Sequence, residues 1–159
     1  MKVGIPKEKY PDEQRVAMTP DVAPKLLALG FSVAVEAGAG TAASYSDNAY
    51  REAGAEIMPS AKELWAQCDI MLKVRAPERD EVDLLKSGQT LIGFFWPAQN
   101  PKMLKTLADR GVTVLAMDSI PRLSRAQKMD ALSSMANVGG YRAVIEAAEH
   151  FGRFFTGQV

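Results

Sequence analysis

At 159 residues the chain has the length of one domain with one real core, and 47% hydrophobic with 24% charged residues is the composition of an ordinary globular protein. Nineteen Lys and Arg balance nineteen Asp and Glu, so no global field draws it to nucleic acid or to an anionic membrane. The single cysteine, Cys68, rules out an intrachain disulfide and, with His150 as the only histidine, leaves no Cys/His zinc set. A buried, inert thiol in a reducing cytosol is the expectation. No apolar run approaches the roughly 20 residues of a membrane span, and Met1 opens directly onto a strand-like Lys-Val-Gly-Ile-Pro. Direct membrane insertion is therefore not expected.

Short apolar runs alternate with helical patterns from start to finish, as in βα units feeding a parallel sheet. Lys2 to Ile5 reads as the first strand, followed by a polar loop from Pro6 to Gln14 that ends at Arg15. Thr19 caps a helix with Pro20 in its first position and Gly30 after it, although Pro24 crowds the first turn. Phe31 to Val35 is the second strand. Gly38-Ala-Gly-Thr-Ala-Ala then matches the loose G-x-G-x-x-A fingerprint. Ser44-Tyr-Ser-Asp separates those glycines from the next helical pattern, Ala49 to Ala53, so a plain turn is the better reading. Ala55 to Met58 is the third strand, Ser60 with Glu63 a capping box, Ile70 to Val74 the fourth strand and Glu78 to Leu85 a short acidic helix. Thr90 to Phe95 is the fifth strand, continuous enough to be buried on both faces. Pro101 to Arg110 is a helix and Val112 to Met117 the sixth strand. The result is a doubly wound, mostly parallel α/β sheet of Rossmann or flavodoxin type. The expected domain spans residues 1–137, with a connecting helix over 138–159 in which Tyr141 to Phe155 resumes after Gly139-Gly140 and carries i,i+4 charge pairs such as Arg142 with Glu146.

Lys73 lies at the carboxyl end of a strand, where open α/β sheets place their binding crevice; the plain alternative is a solvated strand-end lysine. Pro121 to Ser134 is denser in hydrogen-bonding groups than almost any other stretch. If Ser124 caps a helix there, Gln127 closes a capping box; alternatively Gln127 and Asp130 share a face that addresses a ligand, with Arg122 on the loop before it. Asp12-Glu13 and Asp80-Glu81 read as solvated loop and helix-start acids, and His150 as the surface partner of Glu146. These residues define a polar crevice near Arg15, Lys73 and the 122–133 stretch, but no reaction.

Several motifs then point further. Lys2-Val-Gly-Ile-Pro-Lys-Glu with Arg15-Val-Ala-Met-Thr-Pro, Glu36-Ala-Gly-Ala-Gly, Leu72-Lys-Val-Arg-Ala-Pro and Phe95-Trp-Pro-Ala-Gln-Asn-Pro run through the first two thirds of the chain. Ala116-Met-Asp-Ser-Ile-Pro-Arg-Leu-Ser-Arg-Ala-Gln, Leu132-Ser-Ser-Met-Ala-Asn and Phe151-Gly-Arg-Phe-Phe-Thr-Gly-Gln follow. Together they resemble the N-terminal part of the alpha subunit of proton-translocating NAD(P) transhydrogenases, relatives of alanine dehydrogenase. The resemblance implies that Arg122, Gln127, Asp130 and Ser133 reach the nicotinamide and ribose of NAD(H) held on a following Rossmann domain, and that Tyr141 supports them. It implies NADP(H) on another component, and as partners the rest of the alpha subunit and the membrane components, at the cytoplasmic face of the inner membrane; a homodimer stays open. Alanine dehydrogenases keep an arginine and a lysine matching Arg15 and Lys73 for the substrate, and a histidine matching Trp96 as acid and base. Indole cannot supply a proton near neutral pH, and hydride exchange between two nicotinamides needs none. An amino-acid dehydrogenase fragment and a self-sufficient, non-catalytic binding domain remain the alternatives. The expected catalytic residues of the chain by itself are none, with weak or no binding of NAD(H), because the Rossmann domain would follow Val159.

Overall fold

The computed structural model describes residues 1–153 and divides into two units, Met1–Ser119 and Ile120 onward. The first unit is a six-stranded parallel sheet in the order β3-β2-β1-β4-β5-β6, with β1 at Lys2–Ile5, β2 at Ser32–Glu36, β3 at Glu56–Met58, β4 at Ile70–Arg75, β5 at Thr90–Phe94 and β6 at Thr113–Ala116. All five pairings are parallel. That order is the Rossmann one, with its reversal between β1 and β4, and it decides between the two doubly wound arrangements.

Period-two alternation builds a core on each face of the sheet. On β2, Val33 and Val35 belong to one buried cluster with Val3, Ile5 and Tyr50, while Ala34 between them belongs to the other with Trp65, Met71, Leu91 and Phe95. Tyr50, Trp65 and Phe95 are fully buried, and each contributes on the order of 1.5–3 kcal/mol by leaving water. The Tyr50 hydroxyl donates to the Met18 carbonyl at 2.7 Å, and burial pushes its pKa up to about 12. Cys68 is buried with its thiol pushed up to about 11 by the same cause, an inert group as expected. It also explains Gly4, where a Cβ would lie 2.7 Å from the Cys68 sulfur.

The helices of this unit are α1 at Ala23–Ala28, α2 at Asp47–Glu52, α3 at Ala61–Gln67, α4 at Arg79–Val82 and α5 at Pro101–Asp109. The irregularity anticipated from Pro24 takes the form of a 3-10 turn, Pro20–Val22, ahead of α1. Thr19 is extended there, but its hydroxyl donates to Asp21 rather than capping the turn. At α3 the Ser60 hydroxyl oxygen accepts from Glu63 N–H at 3.3 Å, while the Glu63 carboxylate accepts from the Ser60 hydroxyl at 3.2 Å.

The second unit contains a 3-10 turn, Ser124–Met129, and one long helix, α6, at Ala131–His150. Two expectations are corrected here. Ser124 caps no α-helix: the residues after it wind as 3-10, Gln127 lies inside that turn, and the α-helix starts one turn later with Asp130 as its cap. Gly139 and Gly140 do not interrupt α6, which runs through them because the flanking Ala, Met, Glu and Arg residues are good helix formers. Arg142 pairs with Glu146 as expected. The Phe154 and Phe155 end of the anticipated helix lies outside the described residues.

Candidate functional site

Two groups of residues carry the chemistry, one in each unit. The first sits at the carboxyl ends of β1 and β4, the reversal point of the sheet. Lys73, near the end of β4, is not the solvated strand-end lysine of the plain alternative: it is 5% exposed. Its Nζ donates to Glu81 Oε1 at 2.8 Å and lies 3.5 Å from Glu8 Oε2. The other oxygen of Glu81 accepts from the Glu78 N–H at 2.8 Å, so that carboxylate is satisfied on both sides. Glu8, on the loop leaving β1, accepts from the N–H groups of Val74 at 2.6 Å and Arg75 at 3.3 Å. It thereby bridges the two strands across the reversal point. Burial raises its pKa, opposed by the Lys73 charge and the two backbone donors.

Arg15 ends the same loop. Its Nε donates to Glu13 Oε1 at 2.7 Å and its Nη2 to Glu13 Oε2 at 2.6 Å. Arg75 Nε reaches the same Oε2 at 2.7 Å. The Glu13 side chain is 4% exposed, so the solvated-acid reading of Asp12-Glu13 fails for Glu13, whereas Glu81, though buried, sits in the first turn of α4 as the helix-start reading of Asp80-Glu81 has it. The Arg15 hydrogen bond foremost, against burial and with help from Arg75, holds the Glu13 carboxyl at about 2. The Arg75 guanidinium also stacks over Tyr10 at 4.7 Å and Trp96 at 5.6 Å. Arg15 and Lys73 thus share a neighbourhood, in which Glu8 acts on both, but each has its own carboxylate.

The residues missed from sequence are the anions: Glu8, Glu13 and Glu81 sit in stretches that read as polar loop or helix start. Glu81 carried a usable signal in its position three after Glu78, the spacing of a capping box.

The second group lies in the second unit. Asp130 Oδ1 accepts from Leu132 N–H at 3.0 Å and Ser133 N–H at 3.4 Å, while its Oδ2 accepts from the Ser133 hydroxyl at 2.6 Å. The structure brings these two predicted residues together as helix cap and helix start. The Ser133 bond foremost lowers the Asp130 pKa, with the Arg122 charge adding to it, although Arg122 and Asp130 form no ion pair. The side chains of Arg122 and Gln127 make no hydrogen bond to any described residue, and both are exposed.

Two other places are less open to a ligand. In the Gly38 loop, the N–H that a pyrophosphate would use donates to Asp47 Oδ1 at 2.8 Å, and a Cβ on Gly40 would fall 2.7 Å from the Tyr50 ring. A groove of about 760 Å³ between α4 and α5 is lined by Val82, Met103, Thr106 and Arg110, but by none of the predicted site residues. Arg110 there is held by Val82 O at 2.8 Å and Asp83 at 2.7 Å.

A Rossmann-order sheet with its reversal point filled by ion pairs, followed by an acid-capped helix, defines a doubly wound α/β domain of Rossmann type. The chain belongs to the alanine dehydrogenase/PNT N-terminal domain family, which it matches over residues 4–139. It is 60% identical over 159 residues to the NAD(P) transhydrogenase subunit alpha of Cereibacter sphaeroides, covering 100% of this chain and 30% of that protein. It is 35% identical over 150 residues to the alanine dehydrogenase of Halomonas elongata, covering 94% of this chain and 40% of that one. Among solved structures, the transhydrogenase from Sinorhizobium meliloti superposes with a TM-score of 0.88 at 42% identity, covering 96% of this chain and 44% of that chain. The chain thus spans less than half the length of each of these relatives. Among the described residues no helix is long and apolar enough to cross a membrane.

Proposed function

We propose that the chain is the N-terminal domain of an NAD(P) transhydrogenase alpha subunit, whose parent transfers hydride between NAD(H) and NADP(H) while protons cross a membrane. The observation that carries this reading is identity along the whole chain: 60% to a transhydrogenase alpha subunit, against 35% to an alanine dehydrogenase. Trp96 supports it, because the end of β5 offers an indole where reduction of an imino acid needs a proton donor.

NAD(H), when bound, supplies the hydride. The chain's own residues position it. Gln127 presents both an amide donor and a carbonyl acceptor, matching a carboxamide, and Arg122 presents guanidinium donors that no other described residue uses. Ser133 has committed its hydrogen to Asp130, so its oxygen is left to accept from a ribose hydroxyl. The phosphate-binding glycine turn belongs to a Rossmann domain that follows this one in the parent. NADP(H) sits on another component, and the partners are the rest of the alpha subunit and the membrane components, at the cytoplasmic face of the inner membrane.

The chain alone accordingly binds NADH weakly and turns nothing over. Calorimetric titration of NADH into the chain alone and with its continuation restored tests this reading. The longer protein is expected to saturate, and Gln127→Ala in it to weaken binding about tenfold, on the order of one hydrogen bond. Saturation of the short chain at micromolar NADH, or a Gln127→Ala variant with unchanged affinity, overturns it. Reduction of pyruvate in the presence of ammonia by the longer protein would instead make it an amino-acid dehydrogenase.

A further inference from the structure

The turn that follows β5 has the backbone groups of Phe95 and Trp96 tied down on both sides, and one of its two anchors lies on the last turn of the sheet unit. Phe95 and Trp96 donate their N–H groups to the two carboxylate oxygens of Asp118, at 2.9 and 2.8 Å. Their carbonyls accept from the Asn100 side-chain amide at 2.9 and 3.3 Å. Trp96 holds a φ of 45°, left-handed backbone that a bulky residue adopts only at a steric cost. Strain of that kind persists where the surroundings over-determine it, and such places concentrate at functional sites.

Asp118 lies in the 3-10 turn Met117–Ser119, and the sheet unit ends at Ser119. Pro121, with its fixed φ, and Arg122 come directly after. The anchor therefore sits on the last turn before the segment that carries Arg122 to Ser133. Its effect on that segment passes along the covalent chain.

We propose that Asp118 is a positioning residue for NAD(H) binding: by clamping the end of β5 to the last turn before Ile120, it fixes the point from which the Arg122 to Ser133 segment departs. The proposal rests on the reading above that this segment addresses NAD(H). With the clamp released, the segment samples more orientations, and binding must supply the ordering that the fold no longer provides.

The test uses the full parent protein with its NADP(H)-binding component, comparing wild type, Asp118→Ala and Asp118→Asn. Asp118→Ala is expected to raise the KM for NADH about tenfold and leave the KM for NADPH within about twofold. Asp118→Asn keeps one acceptor oxygen and is expected to fall between. A purely structural Asp118 would lower the melting temperature and leave both KM values unmoved, and a folded Asp118→Ala variant of that kind overturns the proposal. If Asp118→Ala does not fold, Asp118→Asn carries the test; unchanged KM values for it, or its own failure to fold, overturn the proposal equally. Absence of NADH-dependent hydride transfer in the wild-type parent would instead overturn the functional reading itself.

Discussion

Lys73 Nζ lies 2.8 Å from Glu81 Oε1, with both side chains all but excluded from water. Glu8 stands 3.5 Å away on the other side of the ammonium, so one buried cation serves two buried carboxylates. Removing one member of such a set leaves the remaining charge uncompensated, which costs far more than the intact set contributes. Lys73→Met is expected to destabilise the domain by about 3–5 kcal/mol at neutral pH. The loss shrinks at acid pH, where Glu8, its pKa raised by burial and no longer opposed by the Lys73 charge, takes a proton. Urea unfolding at neutral and acid pH measures it, and a pH-independent loss would mean the charges do not interact.

Glu13 sets the acid limb of stability. Its folded pKa of about 2 lies below the ordinary 4.5, so the unfolded chain binds more protons between those values. Stability from this carboxylate is present above pH 4.5 and is lost as pH falls toward 2. Because Arg15 and Arg75 are 40% and 30% exposed, water screens the interaction, and the contribution is on the order of 1–2 kcal/mol. Glu13→Gln should flatten the urea midpoint across that window. Glu8 opposes it: its raised pKa means that stability falls as pH rises through its folded value.

Gly93 on β5 has no room for a side chain. A Cβ there would stand 2.5 Å from the Lys73 carbonyl oxygen, a backbone atom of the neighbouring strand. Gly93→Ala must push β4 from β5 and is expected to cost about 1–3 kcal/mol. Thermal unfolding reads it directly, with Gly139→Ala, where a Cβ meets nothing, as the control expected to be neutral or stabilising.

Asp130 starts α6. Asp130→Ala removes the acceptor for two backbone N–H groups and the Ser133 hydroxyl, whereas Asp130→Asn keeps an oxygen for the cap. Far-ultraviolet circular dichroism should show helix loss for the alanine variant and little for the asparagine one. Equal spectra for all three proteins would mean that the cap does not hold the helix start.

The sheet was legible because its strands are runs of apolar residues whose alternation survives in both cores; Val33, Ala34 and Val35 show this on a single strand. The Ser60 cap was legible because its partner lies three residues away. The crevice was not, because its bonds are long-range: Glu8 reaches Val74 and Arg75, and Glu13 reaches Arg75, across a strand crossover that no local spacing encodes. The capping of α6 misled for a different reason. Ser124 and Asp130 are both good caps followed by a polar residue at the right distance, and Arg125 to Met129 are as good helix formers as Ala131 and Leu132, so no local preference separates the two starts.

Gly139 and Gly140 give α6 an uneven stiffness. Each glycine costs the helix about 1 kcal/mol relative to alanine, and among the described residues no side chain lies where their Cβ atoms would be. The near end is fastened by Asp130, whereas the middle is held by little beyond its own backbone ladder. Bending the helix therefore costs least at the glycines, while the bonds from Asp130 to Leu132 and Ser133 hold the geometry of the first turn. A rod built this way transmits a pull from its distal half poorly, which insulates the cap from whatever the distal half is joined to.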